Sequence, residues 1–193
     1  MNFITFDIET YSPGNLDRID TKEFRASVVG CYVSWMDEYL AFIEDTVTDF
    51  IELMKSADLI IGYNHLWFDL PVLQKYADYN LLDLPSYDIM IEAEKKIGYK
   101  LKLDDLCKAN LGSAKTDSYE VYKHYYAEKK WAPLIDYCMH DVKLTNQLFL
   151  KIVNEGKLLY NDLLDTKEIT FDAPKPGKLK LQNQNSSVVD SIF

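Results

Sequence analysis

Phe3-Ile4-Thr5-Phe6-Asp7-Ile8-Glu9-Thr10 alternates with the two-residue period of a β-strand. Residues two apart on a strand project from one face, so Asp7 and Glu9 stand side by side while Ile4, Phe6 and Ile8 form the opposite, apolar face. Two carboxylates about 6 to 7 Å apart repel each other unless a cation or a proton is shared. A divalent metal is one remedy, and exposure of both groups to solvent at the strand end is the other.

Working outward, residues 27–36 and 39–43 read as a hairpin turning at Asp37-Glu38, and the polar stretch 11–25, with Pro13-Gly14-Asn15, reads as a loop. An amphipathic helix is expected over 46–57, followed by the buried strand Asp58-Leu59-Ile60-Ile61-Gly62. Further helices are expected at 69–77 (Pro71 in the first turn), 89–97, 104–110, 119–130 and 133–155, the last closed by Gly156. Strands followed by alternating helices and strands imply a layered α/β domain.

The last helix carries a sharper signal. With Leu134 set at 0° and 100° per residue, Cys138, Thr145, Leu148 and Ile152 fall within about 40° of it, and Asp141 sits among them at about −20°. A carboxylate in an apolar stripe costs several kcal/mol unless a metal or basic partner compensates it, or unless the helix edge is open to water. Tyr137, one turn earlier, shares that edge. A fourth acid, Asp69, lies in Gly62-Tyr63-Asn64-His65-Leu66-Trp67-Phe68-Asp69-Leu70-Pro71 directly after the buried strand. It suits a helix N-cap, and equally the strand-to-helix crevice where α/β sheets bind ligands. Asp88 and Asp104 each precede an expected helix and read as N-caps.

The 193 residues, 48% hydrophobic and 27% charged, suit one domain, residues 1–156, with an extension at 157–193 that is expected to be flexible from about 173. No apolar run approaches a membrane span, and the start does not read as a signal peptide. Cys31, Cys107 and Cys138 lack the spacing of a disulfide framework or zinc ribbon, which points to reducing cytoplasm. The net charge of −10 is uneven: residues 1–94 hold 5 basic and 18 acidic side chains, residues 95–130 hold 9 and 5. In that second segment Lys95, Lys96, Lys100, Lys102, Lys108, Lys115, Lys123, Lys129 and Lys130 are interleaved with Tyr99, Tyr119, Tyr122, Tyr125 and Tyr126. The pattern suits a strip that grips a single strand, or a solvated helix face with its tyrosines turned inward.

Phe-Asp-Ile-Glu-Thr (6–10), Asn-x3-Phe-Asp (64–69) and Tyr-x3-Asp (137–141) together resemble the three motifs of the DEDD 3′–5′ exonuclease superfamily in its tyrosine-type branch. Asp136 occupies the position where the histidine-type branch has its His. The motif wording is similar to the exonuclease domain of family B DNA polymerases, and Leu103-Asp104-Asp105-Leu106 to Leu111-Gly112, with Lys115, resembles bacterial stand-alone or helicase-associated ribonuclease H-like exonucleases. The resemblance implies an α/β ribonuclease H-like fold with a central mixed five-stranded sheet flanked by helices. It implies that Asp7, Glu9, Asp69 and Asp141 hold two divalent ions, Mg²⁺ or Mn²⁺, and that Tyr137 positions the attacking water. Thr10, Asn64, Phe68 and Lys115 are expected substrate contacts. The implied reaction removes nucleoside 5′-monophosphates from the 3′ end of single-stranded DNA or RNA. A ribonuclease H-like endonuclease and a non-catalytic nucleic-acid-binding module are the alternatives. A polymerase, helicase or clamp partner could dock through the C-terminal tail, whose tip is Ser187 to Phe193.

Overall fold

In the computed structural model, which describes residues 1–11, 20–112, 125–162 and 165–177, five strands build the central sheet. They are β1 (Phe3–Tyr11), β2 (Arg25–Val33), β3 (Glu38–Ile43), β4 (Leu59–Gly62) and β5 (Ser86–Asp88), in the order β3-β2-β1-β4-β5. β1, β2 and β3 pair antiparallel, as the alternating pattern and the turn at Asp37 require, whereas β4 and β5 run parallel to β1. This mixed sheet, flanked by helices, is the ribonuclease H-like architecture expected from the motifs. β5 is a three-residue strand with no periodicity of its own, and only the resemblance implied a fifth strand.

Helices cover both faces. Ile4, Phe6 and Ile8 pack against Phe50, Ile51 and Met54 of α1 (Val47–Met54) and against Leu70, Val72 and Leu73 of the short α2 (Asp69–Leu73). The helix expected over 69–77 is shorter than the pattern suggested, passing into a 3-10 turn at Gln74–Tyr76. On the other face, Leu59 and Ile61 meet α3 (Ile89–Ile97), α4 (Leu103–Leu111) and the 25-residue α5 (Trp131–Glu155). Gly156 closes α5 in the left-handed region at φ 69, where glycine carries no Cβ penalty.

After α5 the chain forms a hairpin that the polar sequence concealed: β6 (Lys157–Asn161) and β7 (Thr166–Thr170). Leu158, Tyr160, Ile169 and Phe171 are buried with α4 and α5. Asn110 of α4 clamps β6 like an extra strand residue, accepting from the Leu159 amide at 2.8 Å and donating to its carbonyl at 2.7 Å. The chain then continues to Gly177, whose amide donates to the Asp58 carbonyl at 2.8 Å. Lys115, the first half of the helix expected at 119–130 and the tail tip lie outside the described residues. Among the described residues no helix is long and apolar enough to cross a membrane.

A close approach seats α5 on the sheet. Gly30 of β2 lies opposite Asp7 of β1, and a Cβ there would stand 3.0 Å from Cys138 Sγ and 3.1 Å from Val142 Cγ2. The missing side chain lets the helix drop onto the strand pair beside Asp7. Gly30→Val is therefore expected to destabilise the fold by about 1 to 3 kcal/mol through overpacking, measured by urea denaturation. It should also lift Asp141 away from β1. A variant as stable as the parent would contradict this seating.

Candidate active site

β1 contributes two of the acids. One carboxylate oxygen each of Asp7 and Glu9, together with Cys138 Sγ from α5, lie within 4.8 Å of one another. The strand alternation predicted from sequence thus directs both acids towards α5, away from the Ile4, Phe6 and Ile8 core. A β-bulge follows at once: the register runs Glu9 to Val28 and Thr10 to Ala26, skipping Ser27, whose hydroxyl donates to the Glu9 carbonyl at 3.0 Å. Thr10 comes just after this irregularity and is half-buried.

α5 contributes the next. Asp141 is only 3% exposed, in the apolar stripe with Leu134, Cys138, Leu144, Thr145 and Leu148. Tyr137 is half-buried one turn earlier, against Leu134, Cys138 and Val28. The Cys138 thiol donates to the Asp7 carbonyl at 3.4 Å. Burial holds it protonated well above its ordinary range, and the charges of Asp7, Glu9 and Asp141 push the same way. Asp7 and Glu9 are the acids that share the 4.8 Å cluster with this thiol, and Asp141, three residues on in α5, acts on it through its charge.

Asp69 arrives from the opposite side of β1. β4 pairs with β1 only as far as Thr5, so beyond it the Ile8 amide is free to meet the Asp69 carboxylate. That contact sets Asp69 at the strand segment carrying Asp7 and Glu9. It is not the N-cap that its position before Pro71 allowed; Phe68 caps the helix, without a side-chain bond. Burial raises the Asp69 carboxyl to about 7; its own backbone amide and that of Ile8 lower it, and the charge of Asp88 raises it.

The turn from β4 to Asp69 is held by groups whose role the sequence did not show. Asp88 ends β5 and caps α3 as expected, accepting from Met90 and Ile91, and it also accepts from Asn64 at 2.9 Å and Leu66 at 3.1 Å. Asn64 adopts φ 65, a left-handed conformation that asparagine tolerates, so backbone geometry alone accounts for its type. His65 is 1% exposed, with Nδ1 at 3.4 Å from Asp88 Oδ2 and its ring edge-on to Phe6. Burial keeps it neutral, below its ordinary pKa, against the pull of Asp88. Gly62 is required beneath it, since a Cβ would fall 2.8 Å from the His65 side chain. Phe68 packs edge-on against Phe24 at 5.5 Å.

The basic segment is less available than its sequence suggested. Lys95, Lys96, Lys108 and Lys130 pair with Glu92, Asp172, Asp104 and Glu128. Asp104 is thus an ion-pairing residue of the first turn of α4, not its N-cap, which is Lys102. Tyr126 stacks on Tyr11 at 4.4 Å, whereas Tyr99 is exposed.

A carboxylate-rich crevice with one protonated thiol suits a hard divalent cation, which prefers oxygen donors. A family model of the RNase H superfamily matches residues 4–153, and the chain belongs to that superfamily. Among solved structures it is similar in fold to a family B DNA polymerase from the hyperthermophilic archaeon Pyrobaculum calidifontis, with a TM-score of 0.61 at 19% identity. That similarity covers 78% of this chain but only 24% of the polymerase. No curated protein sequence matches it.

The raised Asp69 carboxyl has a definite sign for stability. A group protonated more readily in the folded state loses its contribution as pH rises, here between the ordinary 3.8 and about 7. In EDTA at pH 8, Asp69→Asn is therefore expected to melt a few degrees above the parent, the gap closing as pH falls towards 4. A variant melting below the parent at pH 8 would contradict the buried charge.

Proposed function

We propose that this chain is a metal-dependent 3′–5′ exonuclease of the tyrosine type. It would act on the 3′ end of single-stranded nucleic acid, DNA ahead of RNA, and release nucleoside 5′-monophosphates. The observation that carries the reading is the convergence of acids from three separate elements on β1: Asp7 and Glu9 on the strand, Asp69 at Ile8, and Asp141 beside Cys138. Nothing in packing requires four carboxylates there, and their mutual repulsion opposes folding.

Asp7, Glu9, Asp69 and Asp141 would hold two Mg²⁺ or Mn²⁺ ions. When bound, such a pair supplies charge to activate water and to stabilise the departing 3′-oxygen. The chain's own side chains do the rest. The Tyr137 phenol, on the α5 face shared with Asp141, orients the attacking water in line with the scissile bond. Thr10, at the bulge beside Glu9, and Phe68, next to Asp69, border the terminal nucleotide, and Asn64 shapes the turn behind them. Lys115 is retained as a phosphate contact on the family resemblance alone. The nuclease unit is assigned to residues 1–156, with β6 and β7 packed on it, and a polymerase, helicase or clamp would supply any larger context.

The test uses 5′-labelled single-stranded DNA and RNA oligomers with Mg²⁺, Mn²⁺ or EDTA. The expected result is a ladder shortening one nucleotide at a time, metal-dependent, with Asp7→Ala and Asp141→Ala slowed on the order of 10³-fold or more. Tyr137→Phe should lose roughly 10²-fold, in kcat more than in KM. Internal cuts would move the reading to an endonuclease, and intact oligomers under every metal would overturn it.

A further inference from the structure

Trp67 is 67% exposed, the highest value of any large apolar side chain among the described residues. Tryptophan has the most apolar surface to hide, and on average it is highly buried. The turn carrying it is nevertheless one of the most constrained in the molecule. The amides of Trp67 and Phe68 both donate to the Asn64 carbonyl at 3.2 Å, and the Leu70 amide donates to the His65 carbonyl at 2.9 Å. Asp88 anchors Asn64 and Leu66, the His65 ring is buried against Phe6, and the half-buried Phe68 ring packs in part against Phe24. The indole is thus held in water by a rigid frame that tucks in the rings before and after it. Such a frame incurs little ordering cost when a ligand arrives.

Its place in the fold says what that ligand is. Trp67 stands two residues before the buried Asp69, and two residues span at most about 7 Å of chain, so the exposed indole is carried close to the acids. A polynucleotide whose terminal phosphodiester reaches the carboxylates brings its last bases within reach of this side chain. Every unpaired base has an apolar face, and stacking on an exposed aromatic ring recognises it without regard to sequence.

We propose that Trp67 is a substrate-binding residue whose indole stacks on an unpaired base near the 3′ end of the strand. This rests on the reading of the site as a nuclease acting on single strands. Trp67 supplies grip and has no part in the bond-breaking step. Its side chain also discriminates against a paired end, because a base already stacked within a duplex has no free face to offer.

The test is a thermodynamic cycle between side chain and base. Binding of a 5′-fluorescein-labelled twelve-nucleotide oligo-dT is measured by anisotropy with Mg²⁺, in an Asp7→Asn background that blocks turnover. A second oligomer carries abasic residues at its last four positions. Trp67→Ala is expected to weaken binding of oligo-dT by about ten-fold, Trp67→Phe by no more than about three-fold, and Trp67→Ala should have little effect on the abasic oligomer. Equal losses on both oligomers, or no loss, would overturn the proposal. So would a change of molecular mass in solution on Trp67→Ala without coupling to the bases, which would make Trp67 a self-association residue. Should Trp67→Ala melt well below the parent, Trp67→Leu carries the same cycle, since it keeps apolar bulk and removes the ring. A Trp67 protein that binds oligo-dT but shows no coupling sinks this inference alone. Failure to bind or cleave any single strand sinks the functional reading and this inference with it.

Discussion

Repulsion between carboxylates at the end of β1 is the interaction against which the rest of this fold works. Asp7 and Glu9 bring oxygens within 4.8 Å, which at an effective dielectric constant of about 20 corresponds to roughly 3 kcal/mol of repulsion. Asp141 and Asp69 add charge in places that are 3% and 6% exposed. A chain with ordinary marginal stability can tolerate this only if rigid elements hold each acid from behind. It does so from three directions: the β1–β2 ladder, the helix α5 seated at Gly30, and the turn into α2 locked by Asp88.

Those supports are separable, and each turns a sequence feature into a position. Gly30 matters because α5 needs to reach the strand, Gly62 because His65 needs the space, and Asn64 because the turn passes through the left-handed region. Asp88 joins β5, α3 and the Asp69 turn with four backbone donors, so a carboxylate outside the four site acids fixes the turn that carries Asp69 and adds its own charge there. Over the same turn the structure packs two rings, His65 and Phe68, against the core and leaves one, Trp67, outside.

Much of this was legible in the residues. The alternation of β1 and the 3.6-residue period of α5 are long, strong patterns, and they placed Asp7, Glu9 and Asp141 on the correct faces. The span 89–97 matches α3 residue for residue. What escaped was set by contacts distant in sequence. Asp69 reads as either a cap or a crevice carboxylate, and only its contact with Ile8 separates the two, while Asp88 looks like a cap alone until the turn at 64–66 folds over it. β5 is too short to carry a period. β7 buries only Ile169 of its five residues, so nothing in Thr166-Lys167-Glu168-Ile169-Thr170 marks it as part of the core. The lysines between 95 and 130 read as either a gripping strip or a solvated face, and four of them are paired with acids from the same or neighbouring elements.

On the proposed reading, divalent cations held on Asp7, Glu9, Asp69 and Asp141 relieve the repulsion at β1. Titration calorimetry of Mn²⁺ into the metal-free parent and into Asp141→Asn measures this without reference to any substrate. Saturable binding by the parent, lost or strongly weakened in the variant, is expected, with the fold of both intact by circular dichroism. Absence of saturable binding in a folded parent, or equal binding by both proteins, would contradict it.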